Sequence, residues 1–284
     1  MQLRYRFRLE PTAGQRVALA RMFGCARVVY NDGLQICLDA AAHGARVPTA
    51  VELSKLVITE AKKTPERAWL GDVSAAVLQQ SVRDLGRAWS NHFASRRGTR
   101  KGPRMGKPAF KSRKDSRFAI RFARNTRFRI TDSGRLRLPG VGEVRVRWSR
   151  GLPSEPSSVT VIKDAADRYF CSFVVVTHPA ADLMPDATGD IGIDLGLTRF
   201  AVLSDGSHIS SPRYLRRAEK KLQKRQRELS RKQKGSKNRD KARIRFARAH
   251  AKVADARRNF HHQWSHKLTS ENCENRRVLS RAVA

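Results

Sequence analysis

Leu3, Tyr5, Phe7 and Leu9 alternate with Arg4, Arg6 and Arg8 at the start of the chain. A period of two puts apolar groups on one face of a strand and guanidinium groups on the other. Pro11 ends that strand, and Thr12 with Gln15 has the spacing of a capping box, which predicts a helix directly after it. Two short helices are expected, near 13–23 and 25–42, joined at Gly24 in the manner of a helix-turn-helix. A third begins at Thr49, boxed by Glu52. A further helix follows Ser74, where Val77, Leu78, Ser81, Val82, Leu85, Ala88, Trp89, His92 and Phe93 recur every three or four positions. Residues 12–96 therefore read as a helical bundle.

Alternation returns at Phe118, Ile120 and Phe122, then at Leu136 and Leu138, and then at Val144, Val146 and Trp148. Turn signals fall at Asp132-Ser133-Gly134 and Pro139-Gly140, and SVTVIKD and RYFCSFVVV add two strands around residues 164–167. Residues 117–177 read as a small antiparallel β unit that the N-terminal strand could join. Pro179 to Pro185 looks like a linker. Asp190 to Ile209 then reads as strand, turn, strand, with Ser204-Asp205-Gly206 as a hairpin tip. Beyond it, Leu215, Ala218, Leu222 and Leu229 form one stripe, and Ala242, Phe246, Ala249, Val253, Ala256, Phe260, Trp264 and Leu268 another. Gly235-Ser236 separates them, so two long helices folded as a hairpin are expected.

Charge changes this picture from a fold to a class of partner. The 284 residues carry 59 Lys plus Arg against 25 Asp plus Glu, a formal charge of +34. Residues 96–129 hold 14 basic side chains and one acid, and residues 213–258 hold 20 and four. Such clusters repel one another unless phosphates neutralise them, so a polyanionic partner is implied. The basic positions that mark this interface are Arg4, Arg6 and Arg8 of the first strand, and Lys107, Lys111, Arg117 and Arg121 of the loop and strand after the bundle. In the helical hairpin they are Lys221, Lys224, Arg225, Lys232, Lys234, Lys237 and Arg243. Tyr5, Phe7, Phe110, Phe118, Phe122 and Phe128 are interleaved with them and could stack on bases or face the core.

Length suggests two domains at about 150 residues each, and no apolar run approaches the roughly 18 residues of a membrane span. Cys25, Cys37, Cys171 and Cys273 form no C-x-x-C pair, so neither a disulfide framework nor a zinc site is expected, and the compartment is taken as cytoplasmic, at the nucleoid.

The segment Asp190-Ile-Gly-Ile-Asp-Leu-Gly196 is the sharpest chemical signal. Alternation puts Ile191, Ile193 and Leu195 on a buried face and Asp194 between Gly192 and Gly196 on the other, leaving room for a metal ion and a phosphodiester beside one carboxylate. The same residues also fit an acid hydrogen-bonded in a turn. They fit the phosphate loop of actin-like kinases and chaperone ATPases as well, proteins that do not normally approach +34. Two-metal phosphodiester chemistry needs further carboxylates. None of Asp205, Glu219, Glu228, Asp240, Asp255, Glu271 or Glu274 looks like a second ligand. Gly102 to Lys107 is one residue too short for a phosphate loop and precedes Pro108, and no cysteine or acid stands at zinc-ligand spacing from His261, His262 and His266.

The order of YRFRLEPT, GCARVVYNDGL, LQQSVRDLGRAW, GKPAFKSR, CSFVVV, GIDLGL, FAVLSDG and the long basic segment ending HHQWSHKL closely resembles the TnpB family. These are OrfB-type insertion-sequence transposases, related to type V CRISPR effectors, and the likeness covers residues 1 to about 272. The resemblance implies an RNA-guided, Mg²⁺-dependent DNA endonuclease of mixed α+β class. In it a helical recognition lobe (12–100) is inserted in a wedge β-barrel (1–11 and 101–178), followed by a linker (179–188) and a RuvC-like unit of RNase H fold (189–272). Asp194 matches the first catalytic and metal-binding aspartate. Gln80 and Arg83 lie on the helix that in the family faces the short DNA motif beside the target. The resemblance further implies a guide RNA from the element and a DNA target as partners. Family members continue into a second carboxylate, a four-cysteine zinc element and a third aspartate, whereas residues 273–284 match none of these. The expectation is a truncated copy without nuclease activity alone, with an incomplete Mg²⁺ site and no zinc, completed by a second polypeptide or serving as a nuclease-dead DNA- and RNA-binding regulator.

Overall fold

In the computed structural model β1 (Gln2–Glu10) forms where the alternation predicts it and becomes the centre of a sheet. The structure describes residues 1–115, 117–177 and 191–271, in two units, Met1–Thr177 and His178–Ala284. The expected linker at 179–188 and the tail at 273–284 lie outside the described residues.

In the first unit, α1 (Ala13–Ala42) opens with the expected capping box, Thr12 accepting from the Gln15 amide while the Gln15 side chain accepts from the Thr12 amide. It does not break at Gly24. A single glycine costs a helix interior about 1 kcal/mol, and here the flanking Phe23, Cys25 and Ala26 are all buried. The packing of one continuous buried stripe outweighs the glycine, and a turn there is not formed. α2 (Ala50–Ser54) starts at the Thr49–Glu52 box, and α3 (Ala75–Arg96) buries Val77, Leu78, Ser81, Val82, Leu85 and Trp89 as its spacing predicts. Ser81 Oγ donates to the Ala26 carbonyl at 2.6 Å, satisfying a buried hydroxyl between α1 and α3.

Six further strands follow: β2 (Phe118–Ala123), β3 (Arg129–Ile130), β4 (Leu136–Leu138), β5 (Gly142–Arg147), β6 (Ser158–Lys163) and β7 (Tyr169–Val176). With β1 they make a seven-stranded sheet in the order β2-β6-β7-β1-β5-β4-β3, every pair antiparallel. The N-terminal strand thus lies between β7 and β5, and its partner residues fix which faces turn inward. Phe7 is level with Cys171, Val161 and Ile120, all buried against the helices, whereas Arg6 is level with Ser172, Thr160 and Arg121 on the opposite face.

In the second unit, β8 (Ile193–Leu195), β9 (Arg199–Leu203) and β10 (His208–Ser210) form a three-stranded antiparallel sheet in the order β10-β9-β8. Ala201, Leu203, Ile209 and Leu268 are its core, with Phe260 and Trp264 packed on it. α4 (Tyr214–Ser230) and α5 (Lys237–Glu271) form the expected hairpin. The Arg239 guanidinium donates to the carbonyls of Leu229 (3.1 Å) and Lys232 (2.7 Å), tying down the C-terminal end of α4, where a cation is favoured. Leu215 departs from the predicted stripe and is 54% exposed, because it sits in the first turn of α4 before the two helices close on each other at Leu222. Among the described residues no helix is long and apolar enough to cross a membrane.

Candidate nucleic-acid interface

The outer face of the first unit's sheet collects the arginines that alternation sets there. Arg4, Arg6 and Arg8 follow one another along β1, and Arg121 of β2 lies on the same cross-sheet row as Arg6, three strand spacings of about 4.8 Å away. Arg121 donates to Ser158 Oγ at 3.2 Å. Arg147 is level with Arg8 and, with Arg145, approaches Glu10 at 3.6 Å. At the centre stands Phe170, with the guanidinium carbons of Arg6, Arg8 and Arg168 at 3.9, 5.0 and 5.3 Å from its ring centroid. Three cations gathered around one aromatic ring hold their positions at about 0.5–1 kcal/mol each when exposed. Asp164, a nearby acid, accepts from Arg168 at 2.7 Å.

Phe170 is absent from the aromatics singled out in the sequence. Its parity identifies it: Tyr169, Cys171, Phe173 and Val175 of β7 are buried, so Phe170 points the other way. Conversely, Phe7, Phe122 and Phe128 are buried in the core and cannot stack on bases. Tyr5 and Phe118 pack against that core, Tyr5 with Arg150 above its ring at 4.8 Å, and Phe110 is 52% exposed.

A second basic surface lies where α1, α3 and β2 meet. A cleft of about 310 Å³ is lined by Gln80, Lys111, Arg117 and Arg121, together with Arg27, Asp84 and Asp115. Four residues named from the sequence are thereby brought together, although Arg83, exposed on α3, is not among them. Gln80 Nε2 donates to Asp84 at 2.9 Å. Lys111 is held by its backbone, with Asn31 Nδ2 donating to its carbonyl at 3.0 Å and its amide donating to Asn31 Oδ1 at 2.9 Å, while its ammonium sits 3.7 Å from the Tyr30 ring centroid. Desolvation there pulls the ammonium below the usual lysine range, against the opposing pull of Asp84 and Asp115. Lys111 therefore serves the local fold as well as the cleft's charge. Lys107 is exposed in the preceding segment.

The helical hairpin is the third. Lys221, Lys224, Lys232, Lys234 and Lys237 are exposed along it. Arg225 is paired with Glu228 at 2.7 Å and Arg243 approaches Asp240 at 3.7 Å, so these two carry less free charge than their neighbours.

Asp194 lies on β8, an edge strand of three residues, with its side chain in solvent. Ile191 and Ile193 pack on the second core as alternation predicts, but Leu195 is 58% exposed. The strand ends there and the small core does not reach it. The flanking glycines have local reasons. The Gly192 amide donates to Ser204 Oγ at 3.0 Å, and a Cβ on Gly196 would lie 3.1 Å from the Arg199 carbonyl oxygen. They admit close approach within the sheet itself, where the sequence suggested space for a ligand. Asp194 is level with Val202, so Asp205 lies three residues further along, on the order of 10 Å, its carboxylate accepting the Ser207 amide at 2.8 Å. Among the described residues no group of three or more His, Cys, Asp or Glu is placed to hold a metal. His261 is spent on the second core, edge-on to Phe200 with ring centroids 5.4 Å apart. Cys25, Cys37 and Cys171 are buried free thiols, Cys171 pushed up to about 12 by burial.

Two family patterns match this chain: one described as "Helix-turn-helix domain" of the OrfB IS605 type over residues 1–46, and one described as "Probable transposase" of the same type over residues 173–279. The chain belongs to the OrfB-type transposase family. The first pattern spans β1 and α1, which is one unbroken helix after a strand. Among curated relatives of this TnpB-like chain, a Streptomyces pristinaespiralis protein named "Putative RNA-guided DNA endonuclease" is 40% identical over 271 residues, 94% of this chain and 64% of that one. InsQ of Escherichia coli K12, named in the same way, is 30% identical over 276 residues, 97% of this chain and 64% of its own length. The OrfB chain therefore spans 64% of the length of both relatives. A chain in the "Cryo-EM structure of the Cas12f1-sgRNA-target DNA complex" is similar at TM-score 0.45 and 15% identity, over 92% of this chain and 63% of that one.

Proposed function

We propose that this chain is a nucleic-acid-binding protein of the RNA-guided DNA endonuclease class, holding a guide RNA and meeting a DNA target. The observation that carries it is the collection of Arg4, Arg6, Arg8 and Arg121 on one sheet face, together with the basic surface of the α4–α5 hairpin, in a chain of net charge +34. Counterion release from phosphates supplies the affinity of such surfaces. In this reading residues 12–100 are the recognition lobe, 1–11 and 101–178 the wedge, and 189–272 the RuvC-like unit. Exposed lysines at 107, 221, 224, 232, 234 and 237 hold RNA phosphates. A native gel titration with a folded RNA tests this: a shifted band is expected at near-physiological salt, and free RNA at micromolar protein would contradict it.

Asp194 is the counterpart of a catalytic, Mg²⁺-holding aspartate in this reading. The described residues do not fit a two-metal centre, since one carboxylate leaves a hard divalent ion mostly hydrated. That same lone carboxylate favours, as a second reading, a regulator of the element that binds without cutting.

Gln80 and Arg83 are proposed to face DNA from α3. Both lie off the buried stripe of Val77, Leu78, Val82, Leu85 and Trp89, so alanine at both positions is expected to leave the thermal melt nearly unchanged, within about ±0.5 kcal/mol. A lost base-edge contact is worth about 1–3 kcal/mol, so DNA affinity should fall some tenfold. A changed melt with unchanged DNA binding would sink the assignment.

A further inference from the structure

Between α4 and α5, within the most basic part of the chain, lies a groove of about 340 Å³ that is not basic on its floor. Ala218, Ala249 and Val253 line it where bulkier residues would have closed the helix pair, and Tyr214 stands at one end. Leu222 below is buried, so the gap is a feature of the small side chains and not of a loose hairpin. Arg217, Lys221 and Lys252 form the rim, and no carboxylate is among the described lining residues. The volume is at the lower end of the roughly 300–1,000 Å³ typical of small-ligand sites.

Building on the nucleic-acid-binding reading, we propose that this groove takes one unstacked base of a single-stranded segment, its flanking phosphates resting on Arg217, Lys221 and Lys252. The charge complementarity decides the occupant. An apolar peptide segment would fill the floor but leave three rim cations facing one another, whereas a nucleotide brings a flat apolar ring and anionic phosphates in one unit. The Tyr214 ring, already edge-on to Phe260 with centroids 6.1 Å apart, offers an aromatic wall at the groove's end. Base–aromatic and base–apolar contacts of this kind are sequence-tolerant, because every base has a π-face.

The test is a two-by-two comparison in the full chain. Wild type and Ala249→Leu, which fills the floor and keeps every cation, are each titrated with a single-stranded RNA and with the same strand carrying abasic sites. Wild type is expected to bind the intact strand about tenfold more tightly than the abasic one, and Ala249→Leu to bind both alike with the salt dependence unchanged. Equal discrimination by the two proteins overturns the groove site, and is also the result if the floor accommodates a peptide segment. A wild type that binds neither strand overturns the nucleic-acid reading itself, which separates the two failures. Should Ala249→Leu lose helicity in circular dichroism, Ala218→Leu on the facing helix replaces it. A 2-aminopurine probe in the strand supplies a variant-free readout: a saturable fluorescence change on wild type is expected, and an unchanged signal at full binding overturns the site.

Discussion

Raising the salt from about 50 to about 200 mM is expected to weaken binding to structured RNA by on the order of 10³ to 10⁵, the range for six to ten neutralised phosphates. The charge that drives this is an excess of 34 basic groups that the chain's own acids cannot neutralise. Ion pairs on the helices of the second unit join Arg225, Arg243 and Arg258 to acids three positions away, and such exposed pairs contribute about 0–1 kcal/mol. With four acids against 20 basic residues between 213 and 258, the segment keeps a large net positive charge for a partner. Filter binding across four salt concentrations reads the slope directly. A flat response would mean that the +34 charge faces something other than phosphate.

DNA incubated with the purified 284-residue chain, Mg²⁺ and a bound RNA is expected to remain uncut, and Asp194→Asn to change nothing. The reason is geometric. Asp194 stands exposed on a three-residue edge strand, Asp205 is on the order of 10 Å along the neighbouring strand, and no metal-holding cluster forms among the described residues. An in-line displacement needs two ions about 3.5–4 Å apart, and one carboxylate positions neither. Strand-specific cleavage that disappears in Asp194→Asn would overturn this and require ligands from residues outside those described.

Much of this fold was legible in residue periodicity, because most elements bury one face only. β1, the α3 stripe, the Thr49–Glu52 cap and the break at Gly235-Ser236 all follow from spacing and turn chemistry. Gly24 misled because intrinsic helix propensity is weaker than a buried stripe that runs through it. Leu195 and Leu215 misled for the opposite reason: alternation and heptad spacing name a face, but whether that face is covered depends on how far the neighbouring core extends. The basic surfaces were legible as charge and not as geometry. That Arg6, Arg8 and Arg168 converge on Phe170 depends on β1 pairing with β7, a long-range register no local pattern contains. Likewise the cleft at Gln80 depends on the contact of α1 and α3 with β2, and the groove at Ala249 on the hairpin's closure.

The central claim is that two surfaces, the outer face of β1 and the α4–α5 hairpin, carry the nucleic acid. Residue-specific footprinting tests it most directly: lysines and arginines are chemically modified in the free chain and in its RNA complex, and reactivity is read by mass spectrometry. Several-fold protection is expected at Arg4, Arg6, Arg8, Lys221, Lys224 and Lys232, with Lys62 and Lys63, on the short helical turns after α2, unchanged. Protection spread evenly over all exposed cations, or confined to residues outside both surfaces, would contradict it.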